Sequence, residues 1–243
     1  MKTNFLKSIM AIAAIVVATA ATAQELEPAL IIMKDGAVTS QTFLTDIDSI
    51  VFKPVLPYGV MINNVIWATR NVDAPGVFAN SPEDPGKFYK WNIRIGYPAT
   101  GSINKENWQI KSPDGFDSWQ KIFDPSPEGW RLPSLYEVES LLDDRKVKSE
   151  WIFQNGVPGR KFTDIATGNN IFLPAAGIIH DEKGSREVGI SGNYWIDDTK
   201  RTILLPFPTT VFYRYQLFFN SYSAPSTTSY RKEYGYSFRC VAE

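Results

Sequence analysis

An α+β domain behind a small N-terminal β-hairpin is the architecture this sequence predicts, and three observations carry the prediction. Beyond about residue 57 the chain is a succession of short apolar runs punctuated by Gly, Pro and Asn, the pattern of strands and turns. A single stretch there has helical periodicity. The strand-like runs do not alternate with helices as βαβ units require, so a doubly wound parallel sheet is not expected.

In chain order, Lys2 and Lys7 flank the start of an uncharged apolar run over 9–18 (IMAIAAIVVA), and Ala21-Thr22-Ala23 has the small-x-small pattern of a cleavage site. Residues 1–23 therefore read as a signal peptide cleaved after Ala23, placing the mature chain outside the cytoplasm, secreted or at the cell surface. The run is shorter than the roughly 20 apolar residues a membrane span needs. Residues 24–56 read as a hairpin unit and linker. ALIIMK (29–34) and AVTSQTF (37–43) flank Asp35-Gly36, a strong hairpin signal, then a turn and a third apolar run follow, and Lys53-Pro54 through Pro57 closes the linker. The main domain is expected over 57–243. Its helix follows Ser134, an N-cap whose capping-box partner is Glu137, and Leu135, Val138, Leu141 and Leu142 form one apolar face. Strands are expected over 170–177, 192–196, 202–207, 211–219 and 234–242.

Composition narrows the chemistry. The chain carries 25 basic and 26 acidic residues, a formal net charge of −1, and losing Lys2 and Lys7 with the signal makes it −3. No basic cluster marks it for nucleic acid or for an anionic membrane. Cys240 is the sole cysteine, so no internal disulfide forms, and its apolar surroundings predict a buried, reduced thiol. His180 is the sole histidine, which excludes zinc or copper held by several His or Cys of one chain. No nucleophile elbow, phosphate-binding glycine loop or EF-hand spacing is present. The acidic pairs Asp143-Asp144, Asp181-Glu182 and Asp197-Asp198 are sequence neighbours, whose side chains do not face one another.

The segment 124–134 (DPSPEGWRLPS) resembles the signature that opens the helix of the Fibrobacter succinogenes major paralogous domain, common in secreted proteins of Bacteroidetes and Fibrobacteres. Further matches follow in order: NVIWATRNV (64–72), FYKWN (88–92), RKFTD (160–164), IFLPAAG (171–177), GNYW (192–195) and YSFRCV (236–241). The resemblance covers roughly 60–243 and implies a C-type-lectin-like domain, related in fold to formylglycine-generating enzymes. Its structural signature falls on Trp67, Trp130, Arg131, Pro133, Phe172, Pro174, Gly177, Arg239 and Cys240. A guanidinium at Arg131 can bond loop carbonyls while its stem packs on Trp130. Two departures stand out. Many members have a cysteine where this chain has Ser126, paired with the equivalent of Cys240, and many read YWSS where this chain reads Tyr194-Trp195-Ile196-Asp197-Asp198. Formylglycine generation needs two reactive cysteines and is not expected here.

The expected activity is therefore non-catalytic: a secreted or cell-surface module binding a glycan or a surface protein. A structural or assembly component is the alternative, and a two-carboxylate glycan hydrolase the third reading. Aromatics make up 14% of the chain, and most of them are expected in the core. Trp67, Phe88, Trp130, Trp151 and Phe172 read as core, whereas Trp108, Trp119, Tyr194, Trp195, Tyr222 and Tyr230 lie among polar residues, as sugar-stacking rings do. The ligand site is placed at Asn193, Tyr194, Trp195, Asp197, Asp198, Tyr222 and Tyr230. Asn193, Asp197 and Asp198 carry hard oxygens of the kind calcium takes, but the Glu-Pro-Asn and Trp-Asn-Asp motifs of calcium-dependent lectins are absent, and no cofactor is expected.

Overall fold

The computed structural model describes residues 29–34, 37–46, 48, 56–113, 115–204, 209–230 and 232–243. They fall in two compact units, one ending at Pro54 and the other starting at Val55. The expected signal segment, the Asp35-Gly36 turn and Lys53-Pro54 lie outside the described residues. In the first unit β1 (Ala29–Lys34) and β2 (Ala37–Phe43) pair antiparallel, with a bulge between Ile32 and Met33. Successive side chains of a strand point to opposite faces, so a two-stranded ribbon covers neither, and Ile31, Ile32, Met33, Val38 and Phe43 are all exposed.

The second unit runs through β3 (Gly59–Ile62), β4 (Val65–Asn71), β5 (Lys87–Tyr89), β6 (Tyr97–Pro98), α1 (Lys105–Gln109), β7 (Trp130–Arg131), α2 (Leu135–Leu141) and β8 (Val147–Gln154). It continues with β9 (Val157–Asp164), β10 (Asn170–Pro174), β11 (Ile178–Ile179), β12 (Ser185–Arg186), β13 (Ser191–Leu204), β14 (Thr209–Asn220), β15 (Ser226–Tyr230), β16 (Tyr236–Ser237) and β17 (Arg239–Ala242). Strands dominate and two α-helices accompany them, in keeping with the α+β class. The sheets are ordered β15-β14-β13-β16-β5-β6, β3-β4-β17-β7 and β10-β9-β8, beside a β11-β12 pair.

Helix α2 forms as its local signals dictate. The Ser134 hydroxyl accepts from the Glu137 amide, and the Ser134 amide donates back to the Glu137 carboxylate. Arg131 adds a two-pronged ion pair, Nη1 and Nη2 reaching the two Glu137 oxygens at 2.8 and 2.7 Å, and donates to the Leu132 carbonyl. Burial works against the Glu137 charge, but Arg131 and Ser134 outweigh it and hold its carboxyl below the usual range. The helix buries Val138 and Leu141, each side chain contributing about 1.5–3 kcal/mol by leaving water.

The expected runs at 192–196 and 202–207 differ from what forms: β13 is continuous from Ser191 to Leu204, with a register shift against β14 between Trp195 and Thr199. Beyond Asn220 the chain returns as β15, antiparallel along β14 with Gln216 opposite Thr228. Strand alternation then divides the core. Tyr194, Ile196, Leu217 and Phe219 face one side, against Ile62, Trp67, Val138, Phe162 and Val241. Trp195 faces the other, with Trp91, Trp119, Tyr236, Phe238 and Cys240.

Several buried cations bond backbone carbonyls in place of carboxylates. Arg239 donates to the Ala68 and Phe172 carbonyls and to Asn71 Oδ1, joining β17, β4 and β10. Burial lowers its affinity for the proton to a value of about 10, so it stays charged at neutral pH. Lys90 donates to the Trp108 and Ile110 carbonyls, and Arg160 to those of Asn220 and Ser223. Cys240 is free and buried, its thiol pushed up to about 12 by burial, and its sulfur lies 3.3 Å from Ser126 Oγ.

Candidate functional site

The anticipated ligand residues are dispersed by the fold. Tyr194 and Trp195 are 2% and 1% exposed, which corrects the expectation that they stack on a ligand. The Tyr194 hydroxyl donates to the Pro174 carbonyl at 2.7 Å and the Trp195 indole to the Tyr89 carbonyl at 2.6 Å. Each ring thus has its polar end satisfied inside the core. Trp108 and Trp119 are corrected in the same way: one turn of α1 turns Trp108 inward against Tyr97, 4.9 Å between centroids, and Trp119 packs on Trp91 and Phe238. Asp197 is partly buried and accepts from the Trp119 amide. Burial raises its carboxyl above the ordinary value, with Asp124 and Asp198 adding repulsion. Tyr222 stands 90% exposed in the β14–β15 turn, where Asn220 Oδ1 accepts from the Tyr222 and Ser223 amides. Neither Asp197, Asp198 nor Tyr222 reaches the cavity that holds Asn193. The nine signature residues form structure: Trp67, Trp130, Pro133, Phe172, Pro174, Gly177, Arg239 and Cys240 are buried, and Arg131 holds α2.

That cavity is a cleft of about 480 Å³. Its floor is the β13–β15 face that carries Trp195 farther along. Beyond that indole the covering rings stop, and Asn193, Gln216, Phe218 and Thr228 come to line open space. Ile178 and His180 from one segment and Tyr234 and Tyr236 from the segment paired with it complete the lining, together with the exposed Glu187. Ile179 and Gly235 exchange both backbone hydrogen bonds, which sets the next residue of one strand against the preceding residue of the other. His180 and Tyr234 accordingly stack, 4.6 Å apart and 20° from parallel. Gly177 makes the sharp entry possible: its φ is +83°, and a Cβ there would lie 2.1 Å from the Arg186 carbonyl oxygen.

The polar groups of the cleft are largely committed in one direction. Asn193 Nδ2 donates to the Gly177 carbonyl and to Ser191 Oγ, spending both amide hydrogens and leaving Oδ1. Ser191 Oγ donates to Glu187 Oε2 at 2.7 Å. Gln216 Nε2 donates to Thr228 Oγ1 at 3.0 Å, while Gln216 Oε1 is buried with no partner. An unmet buried carbonyl oxygen costs about 1–3 kcal/mol.

No family model, curated protein or solved structure matches the chain.

Apart from Asn193, the residues that line the cleft are not marked as a site by the sequence, although one signal is there. In VFYRYQLFFN the polar residues Arg214 and Gln216 stand two apart in an otherwise apolar strand, so one buried face of β14 is polar. Among the described residues no cluster of three or more His, Cys, Asp or Glu side chains is arranged to hold a metal ion.

Proposed function

We propose that this chain is a secreted or cell-surface, non-catalytic binding module with a C-type-lectin-like domain of the Fibrobacter succinogenes major paralogous kind, and that it takes a glycan in the β13–β15 cleft. The observation that carries the binding reading is Gln216, a buried amide with an unmet acceptor on the floor of an open cleft beside the His180–Tyr234 stack. Amide groups beside flat rings suit a sugar, whose hydroxyls bond while its CH face stacks. Among the described residues Glu187 is the one carboxylate lining the cleft, and a two-carboxylate hydrolysis needs a second. The family reading is supported by the 3.3 Å approach of Ser126 to Cys240, the positions at which relatives are expected to pair cysteines.

The test is an oligosaccharide array followed by NMR titration of the glycans retained. Gln216→Met removes the acceptor and preserves bulk. It is expected to weaken binding roughly five- to a hundredfold, the equivalent of a lost buried hydrogen bond, with unchanged or higher thermal stability. Asp197→Ala, outside the cleft, is expected to leave affinity unchanged. Equal binding by the Gln216 variant would refute the site. An assembly role is the second reading, favoured by the exposed Ile31, Ile32, Met33, Val38 and Phe43 of the N-terminal hairpin, a unit that is marginal alone.

A further inference from the structure

We infer that the cleft selects uncharged glycans and rejects acidic ones, with Glu187 as the residue that discriminates; the inference rests on the glycan reading above. The lining groups are unbalanced. Asn193 has spent both amide hydrogens within the protein, and Gln216 has directed an N–H to Thr228, leaving its Oε1 unmet. Glu187 adds a carboxylate, and among the described residues no Lys or Arg lines the space. An asparagine in this state offers only an acceptor, and a carboxylate offers nothing else.

His180, Thr228, Tyr234 and Tyr236 also line the space and can donate as well as accept, so the bias rests on the charge of Glu187. Sugar hydroxyls, neutral and able to donate, suit a carboxylate acceptor. A uronate, sialate or sulfate brings further acceptors and a negative charge, and among the described residues no lysine or arginine of the cleft offsets that charge against Glu187. Like charges brought together in a partly desolvated cleft lose affinity, the repulsive half of specificity.

Glu187 has an independent oddity. Its φ is +59°, a left-handed conformation that favours Gly or Asn and strains other residues. Its carbonyl accepts from the Ile190 and Ser191 amides and its carboxylate from the Ser191 hydroxyl, so the strained turn fixes where the charge sits. A glycine would be easier there, but would carry no charge.

The experiment uses the full chain and matched oligosaccharides that differ only in oxidation at C6, β-linked mannan fragments against mannuronan fragments of the same linkage and length, with affinities from NMR titration. The neutral member of a pair is expected to bind at least tenfold more tightly than its uronate. Glu187→Gln retains an acceptor for Ser191 and is expected to bring the two within about threefold, roughly 0.65 kcal/mol. Glu187→Gly is expected to narrow the gap equally while raising the melting temperature. Both changes are at an exposed position, and the melting curve of each checks its fold. Equal binding of neutral and acidic members by the unaltered chain, or an unchanged gap in both variants, overturns the selectivity and leaves the glycan reading standing. Failure of every pair to bind in the cleft overturns both.

Discussion

Replacing Ser126 with cysteine tests the packing of the signature segment directly. Ser126 Oγ lies 3.3 Å from Cys240 Sγ, across 114 residues of chain. A disulfide needs about 2.05 Å between sulfurs, so the two positions must close by just over 1 Å, of which the longer C–S bond supplies a part. In the chain-entropy account a loop of this length lowers the entropy of the unfolded state by about 16 cal/mol/K, a stabilisation of about 4.8 kcal/mol at 25 °C, with 2–4 more typical once native strain is included. The unit from Val55 to Glu243 unfolds with roughly 2.1 cal/mol/K per residue. The upper figure then corresponds to a rise of about 12 °C in melting temperature and the lower range to 5–10 °C. The assay is a thermal melt of the oxidised Ser126→Cys protein with and without reductant, beside thiol titration of native and denatured samples. The parent serves as control: its buried thiol, raised to about 12, should react only after unfolding. Two titratable thiols in the variant after oxidation, or an oxidised form that melts below the reduced one, would refute the adjacency on which the reasoning rests.

Two further outcomes follow from the same packing. Glu137→Gln should cost about 0.5–1 kcal/mol at pH 7, from the charge of the half-exposed Arg131 pair, because glutamine can still close the capping box. Because the folded value lies below the ordinary 4.5, that stability is complete above the unfolded value and lost as pH falls through the folded one. Denaturant melts of parent and variant should therefore converge in acid, and a constant difference down to pH 2 would contradict the account. Trp195→Phe keeps a ring in the core but leaves the Tyr89 carbonyl without its indole donor. A loss of about 2–4 kcal/mol is expected from chemical denaturation, and a value under 0.5 kcal/mol would place the indole elsewhere.

What could be read from the sequence was what neighbours along the chain decide. The capping box at Ser134 and Glu137, the apolar face of α2 and the strands around 170–177 and 234–242 depend on contacts within a few residues. The burial of Trp108 and Trp119 does not. KENWQIK is polar on every side, yet one helical turn conceals its indole beneath Tyr97 and Lys90. Asn193 was singled out for its oxygen, and the cleft does use it, but its partners come from chain segments on either side: Gln216 and Thr228 by strand pairing, His180 and Tyr234 through a backbone exchange between residues 179 and 235. Local pattern carries no record of such meetings. The two-residue spacing of Arg214 and Gln216 came closest.

The position of β17 bears on when its sheet can be completed. This strand lies inside its sheet, between β4 and β7, and Arg239 ties the carbonyls of Ala68 and Phe172, 171 and 67 residues upstream. Chain order runs against this arrangement: β3 and β4 are made early, and the edge of β4 that β17 fills has no strand partner until residues 239–242 have been made. The four-stranded sheet of this unit is thereby completed only once those residues have been made, whatever has formed before them.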